Sequence, residues 1–109
     1  MSERLRQLIT FWQANPTDAF LLFAIAKEYE KAGNDAEALA WYERLRSTDP
    51  QYLGLYYHLG RLYERLGRLP EAIETYRTGM RLARESGDAH TWSEINAARL
   101  EIDPMDEDV

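Results

Sequence analysis

The chain has 109 residues and no cysteine, which removes disulfides, thiolate metal sites and cysteine nucleophiles at once. That lack fits a reducing compartment, so a cytoplasmic location is expected. Histidine is almost as scarce: His58 and His90 stand far apart, and neither has a carboxylate partner at a fixed spacing. No pair of histidines four apart encloses a glutamate, as a helical zinc site requires. No glycine-rich phosphate loop and no serine or threonine in a nucleophile context is present. The acidic residues near the end, Asp103, Asp106, Glu107 and Asp108, lack calcium-loop spacing. An enzyme is therefore not expected, and neither a metal nor a cofactor.

Positive charge is also in deficit. Thirteen Lys and Arg face nineteen Asp and Glu, a net charge of −6, which disfavours nucleic acid or an anionic membrane as a bulk partner. The apolar stretch from Ala19 to Ala26 is too short to span a bilayer. It follows Arg4 and Arg6 and ends in Ala24-Ile25-Ala26, the outline of an export signal with its cleavage site. Glu3 and Asp18 spoil the charge pattern, however, and Asn15-Pro16 breaks the segment. Hydrophobic residues make up 45% and aromatics 12%, enough for one small folded domain and too much for a disordered chain.

What the chain does have is a near-repeat of itself after 34 residues. Tyr29, Gly33, Ala38 and Tyr42 return as Tyr63, Gly67, Ala72 and Tyr76, and Leu21, Glu30 and Glu37 as Leu55, Glu64 and Glu71. A fixed period of this length marks stacked helix–turn–helix units. Turn signals predict helices near 3–14, 17–32, 35–47, 51–66, 69–85 and 89–102. Asn15-Pro16 and Asp49-Pro50 are read as capping residues before a first-turn proline. Gly33 and Gly67 are read as left-handed helix stops.

Apolar spacing indicates how these helices pair. Leu22, Ile25, Ala26 and Tyr29 fall on one face, as do Tyr56, Leu59, Gly60 and Tyr63. Ala38, Tyr42 and Leu45 form a facing stripe, matched by Ala72 and Tyr76. Glycine inside a helix costs about 1 kcal/mol against alanine, so Gly60 is expected where two helices approach closely. In the last helix, Trp92, Ile95, Ala98 and Ile102 form the apolar stripe, with Glu94, Arg99 and Glu101 expected to face water. Residues 103–109 are read as a solvated acidic tail.

Leu59-Gly60, Tyr63, Gly67, Ala72 and Tyr76, together with Tyr29, Gly33, Ala38, Tyr42 and Pro50, resemble the signature of the tetratricopeptide repeat family. Ala26 stands where the family prefers glycine, and Arg84 stands where Pro50 would place a proline, so the helix around it is expected to run longer. The resemblance implies an all-α fold of antiparallel helix–turn–helix repeats, stacked as a short right-handed α-solenoid. It would hold an N-terminal half-unit at 3–14, repeats near 17–50 and 51–85, and a C-terminal capping helix near 89–102, all in one domain of residues 1–102.

The resemblance further implies a protein-binding adaptor, whose first helices line a concave groove for a peptide or partner helix. In this register the groove residues are Phe20, Phe23, Lys27 and Lys31, then Tyr57, His58, Arg61 and Arg65, with Glu30 and Glu64 beside them. Phe23/Tyr57, Lys27/Arg61 and Lys31/Arg65 keep their chemical type across the 34-residue step. Rings beside cations suit an acidic, partly apolar protein or peptide. A solvated, salt-bridged helix face explains the same residues without a ligand. The family's carboxylate clamp for chaperone tails fits poorly, because Phe23 and Lys27 replace its lysine and asparagine. The alternative class of function is a structural homo-oligomer, stacking through solenoid ends or exchanging a terminal helix. Trp12, Trp41 and Trp92 would then mark contact surfaces.

Overall fold

In the computed structural model, which describes residues 1–104, the chain forms helices and no strand among those residues. In chain order they are α1 (Glu3–Ala14), α2 (Ala19–Lys31), α3 (Asp35–Thr48), α4 (Gly54–Arg65), α5 (Leu69–Ser86) and α6 (Ala89–Ile102). The described residues fall into two compact units, 1–52 and 53–104.

In the first unit, Ser2 opens α1 by accepting a hydrogen bond from the Leu5 N–H at 3.0 Å. Leu5 and Leu8 then bury against Ala24 and Ile25 of α2, with Ile9, Trp12, Leu21, Tyr29 and Trp41 packed around them. The chain turns from α2 into α3 through Gly33, whose φ of +78° is a conformation that side-chain-bearing residues avoid. The Asn34 N–H closes that turn on the Tyr29 carbonyl at 2.9 Å. Ala38, Tyr42 and Leu45 of α3 are fully buried.

The second unit repeats the turn. Gly67 has a φ of +74°, and the Arg68 N–H reaches the Tyr63 carbonyl at 2.9 Å. Leu59, Gly60 and Tyr63 of α4 are buried, as are Ala72, Tyr76 and Met80 of α5. Gly60 lies directly under the Tyr76 ring: a Cβ there would be 2.7 Å from Tyr76 Cζ and closer still to the neighbouring ring carbons. At Gly79 a Cβ would meet Tyr56 Cβ at 2.6 Å and Ile95 Cδ1 of α6 at 2.9 Å. With no proline at Arg84, α5 runs 18 residues against 14 in α3, ending at the left-handed Gly87.

Three expectations are corrected. Asn15-Pro16 and Asp49-Pro50 do not open helices. Asn15 and Asp49 end α1 and α3, and their carbonyls close turns to Asp18 and Tyr52 around the prolines. The cap of α2 is Asp18, so α2 starts at Ala19, and α4 starts only at Gly54. Arg99 does not face water: it is 2% exposed, and its guanidinium meets Asp103 at 3.3 Å and Asn96 at 3.0 Å. Asp103, read as the start of a solvated tail, is buried and also pairs with Arg77 at 2.8 Å. The remainder of that acidic tail, 105–109, lies outside the described residues.

Candidate functional site

In the first unit, Phe20, Phe23, Lys27 and Lys31 recur three or four residues apart along α2, on the side away from Leu22, Ile25 and Ala26. Phe20 is 61% exposed, an unusual position for a large ring without a partner. Phe23 is half-buried, tilted against Tyr52 at 5.5 Å and Tyr42 at 6.2 Å between ring centroids. Tyr52 comes from the turn after α3, and its phenol is raised above the ordinary tyrosine range by burial and then by the nearby Asp18 and Asp49 carboxylates. Asp18 Oδ1 accepts from the Leu21 N–H at 3.1 Å, and Asp49 Oδ1 from the Gln51 N–H at 3.2 Å. The rings of this face therefore stand beside carboxylates, and the lysines follow further along the helix.

In the second unit, Tyr57, His58, Arg61 and Arg65 lie on α4. His58 packs edge-on to Tyr57, with centroids 5.4 Å apart. The Arg61 guanidinium sits 5.4 Å from the Tyr57 ring centroid. Its two terminal nitrogens face the two Glu101 oxygens of α6 at 3.4 Å each, and Nη1 is also 3.4 Å from Glu64. These contacts hold the Arg61 proton even more firmly than usual, the Tyr57 hydroxyl first and Glu101 second. A carboxylate on both prongs of the fork is the arrangement an acidic ligand would adopt.

Glu30 and Glu64 serve the fold. Each accepts the hydroxyl of the buried tyrosine twelve residues later, Tyr42 and Tyr76, so this pair also repeats at 34. Burial, and then Glu64, raise the Tyr76 phenol above its ordinary range.

The tryptophans are not bare contact points. Trp12 and Trp41 meet edge to face at 4.8 Å, Tyr29 stacks on Trp41, and the Arg44 guanidinium covers both indoles at 5.0 and 4.8 Å. Trp92 carries Arg84 at 5.7 Å. His90 does have a carboxylate at fixed spacing, contrary to expectation: Nε2 lies 3.6 Å from Glu94, on the exposed side of α6. No cluster of three or more His, Asp or Glu that could hold a metal occurs among the described residues. No helix among them is long and apolar enough to cross a membrane.

The residues that sequence reasoning missed are Asp18, Asp49, Tyr52 and Glu101. Asp18 closes the Asn15-Pro16 turn, and Asp49 and Tyr52 close the Asp49-Pro50 turn, both of which the sequence predicts as helix starts. Glu101 lies 40 residues from Arg61, a spacing that no periodicity marks.

Comparison with known proteins gives one family and one shared fold. The tetratricopeptide repeat model matches residues 29–91. A crystal structure of a tetratricopeptide repeat domain protein from Salinibacter ruber is 46% identical, with a TM-score of 0.75 over 82% of this chain and 99% of that one. A solution structure of a tetratricopeptide repeat domain protein from the same organism is 45% identical, with a TM-score of 0.77 over 86% and 95%. A protein from Bordetella parapertussis shares the fold at 20% identity, with a TM-score of 0.81 over 97% and 92%. No functionally curated protein matches the chain.

Proposed function

Because this chain belongs to the tetratricopeptide repeat family, whose fold generally mediates protein–protein interaction, we propose that it is an adaptor holding a peptide or partner helix. Binding is assigned to the first-helix faces of the two repeats, Phe20, Phe23, Lys27 and Lys31 on α2 and Tyr57, His58, Arg61 and Arg65 on α4. The observation that carries this reading is the retention of chemical type at Phe23/Tyr57, Lys27/Arg61 and Lys31/Arg65, positions that the buried stripe does not dictate. Cations at these positions fit acidic groups on the partner, and Glu101 on Arg61 is an internal example of that pairing. The family is typically non-enzymatic, and the lack of cysteine fits work in a reducing, cytoplasmic setting.

Affinity capture from a native extract, read by mass spectrometry, tests the assignment with Lys27→Glu combined with Arg61→Ala. Alanine is chosen at Arg61 because a glutamate would be set against Glu64 and Glu101. The double variant should lose the partners that the wild type retains while keeping its helical spectrum. A surface change such as Lys27→Glu shifts stability by about 0.5 kcal/mol, and Arg61→Ala gives up pairs with Glu64 and Glu101 worth at most about 1 kcal/mol each. Retention on the wild type should weaken as salt is raised, because exposed charge pairs are screened. Identical partners on both proteins would place binding elsewhere.

A further inference from the structure

Charge toward the end of α2 is mixed, with Glu28 and Glu30 between Lys27 and Lys31. Both glutamates are engaged, Glu28 by Arg4 at 3.3 Å and Glu30 by the Tyr42 hydroxyl. Asp18 stands at its start and Asp49 at the turn that brings Tyr52 against Phe23, while Lys27 and Lys31 lie toward its end. Between them stand the exposed Phe20 and, one turn on, Phe23. A carboxylate brought to the aromatic end would meet two carboxylates already there. A cation would meet ring faces, which attract it, and opposite charge as well. We propose that Phe20, Phe23 and Tyr52, with Asp18 and Asp49 beside them, form a docking face for a lysine or arginine side chain of the bound segment. Lys27 and Lys31 take acidic residues of the same segment. The ligand class is thus a dipolar peptide, with its orientation on α2 fixed by charge.

Spacing sets the sequence class. From the Phe20–Phe23 turn to Lys31 is about nine residues of helix, or about 14 Å at 1.5 Å per residue. An extended peptide covers that distance in about four residues at roughly 3.3 Å each. The segment should therefore carry a basic residue roughly four positions from an acidic one. This inference rests on the proposal that the first-helix faces bind peptide, and it replaces a uniformly acidic ligand with a charge-paired one on the first repeat.

A displayed library of random dodecapeptides, panned against the full chain, tests it. The enriched pool should pair Lys or Arg with Asp or Glu at about that spacing. Asp18→Asn with Asp49→Asn removes the charge while leaving an oxygen to accept from the Leu21 and Gln51 N–H groups. Panning that variant should lose the basic requirement and keep the acidic one, and Lys27→Glu with Lys31→Glu should do the converse. A synthetic copy of the strongest enriched peptide should bind the Asp18/Asp49 variant about fivefold more weakly, as expected for lost exposed ion pairs while the rings remain. An enriched pool that is acidic or apolar without basic residues, or that is unchanged by the aspartate variant, overturns the dipolar ligand and leaves peptide binding standing. A library that yields no enrichment at all overturns both.

Discussion

At the scale of single residues, the period of 34 marks positions without saying what they do. Gly60 is legible because a helix keeps an interior glycine only for a reason, and the reason is the Tyr76 ring. Gly60→Ala gains about 1 kcal/mol of helix propensity. Against this stands overpacking, which typically costs about 1–3 kcal/mol in a core, and the overlap with the ring is deep enough to put the cost at the upper end. A net loss of roughly 1–2 kcal/mol in urea unfolding is expected; a variant as stable as the wild type would show that the ring can move aside. Glu30 and Glu64 were legible as repeated and illegible in role, since their hydroxyl partners sit on the next helix. Arg99 is expected in water and is buried instead. A charged residue in an amphipathic helix is assigned to water by default, and the partners that bury it lie partly off the helix, Asp103 and, through it, Arg77.

At the scale of elements, turn chemistry was readable where glycine forces it and unreadable where proline allows two outcomes. Gly33 and Gly67 stop helices as their sequence context indicates. Asn-Pro and Asp-Pro, by contrast, serve equally as a helix start and as the first half of a turn, and here they close turns. That ambiguity hid the aromatic and acidic neighbourhood of Tyr52. The start of α6 offers a direct test of a cap. Asp88 accepts from the Thr91 N–H at 3.0 Å and from its hydroxyl at 2.7 Å, and these bonds, the backbone one first, hold its carboxyl below the ordinary aspartate range. A carboxyl whose folded pKa is lowered contributes its stability above its unfolded pKa and loses it as pH falls through the folded value. Asp88→Asn keeps an acceptor for the backbone bond and removes the titration. Below about pH 4, the usual carboxylate range, the wild type should therefore lose stability more steeply than the variant. Glu71, lowered by its bond from Arg68, acts in the same direction, so the slope should lessen without vanishing. Parallel acid-unfolding curves would rule out the cap as a source of that slope.

At the scale of the whole chain, the 34-residue spacing was enough to reach the family, because each helix hairpin buries the same small and aromatic residues between its own two helices and so forces them to recur. What repetition cannot encode is the packing of a helix that does not recur, α6. The last helix has no counterpart to be compared with, and its Glu101 and the Asp103 that follows it reach back to Arg61 and Arg77, 40 and 26 positions away, while Arg99 pairs locally with Asp103. In the second unit, α6 covers α5 with Ile95 against Gly79, so that Met80 and Ala83 are shielded from water. A chain ending before Asp88 would lose that cover and the Asp103 partner of Arg77 together. Burial of apolar area stabilises by about 25 cal/mol per Å², so uncovering several core side chains should remove a few kcal/mol. The thermal midpoint should then fall by more than about 8 °C, given that 1 kcal/mol moves a domain of this size by roughly 4–8 °C. A truncated chain melting with the full-length one would mean that α6 is an appendage, and that the second repeat ends its own core at α5.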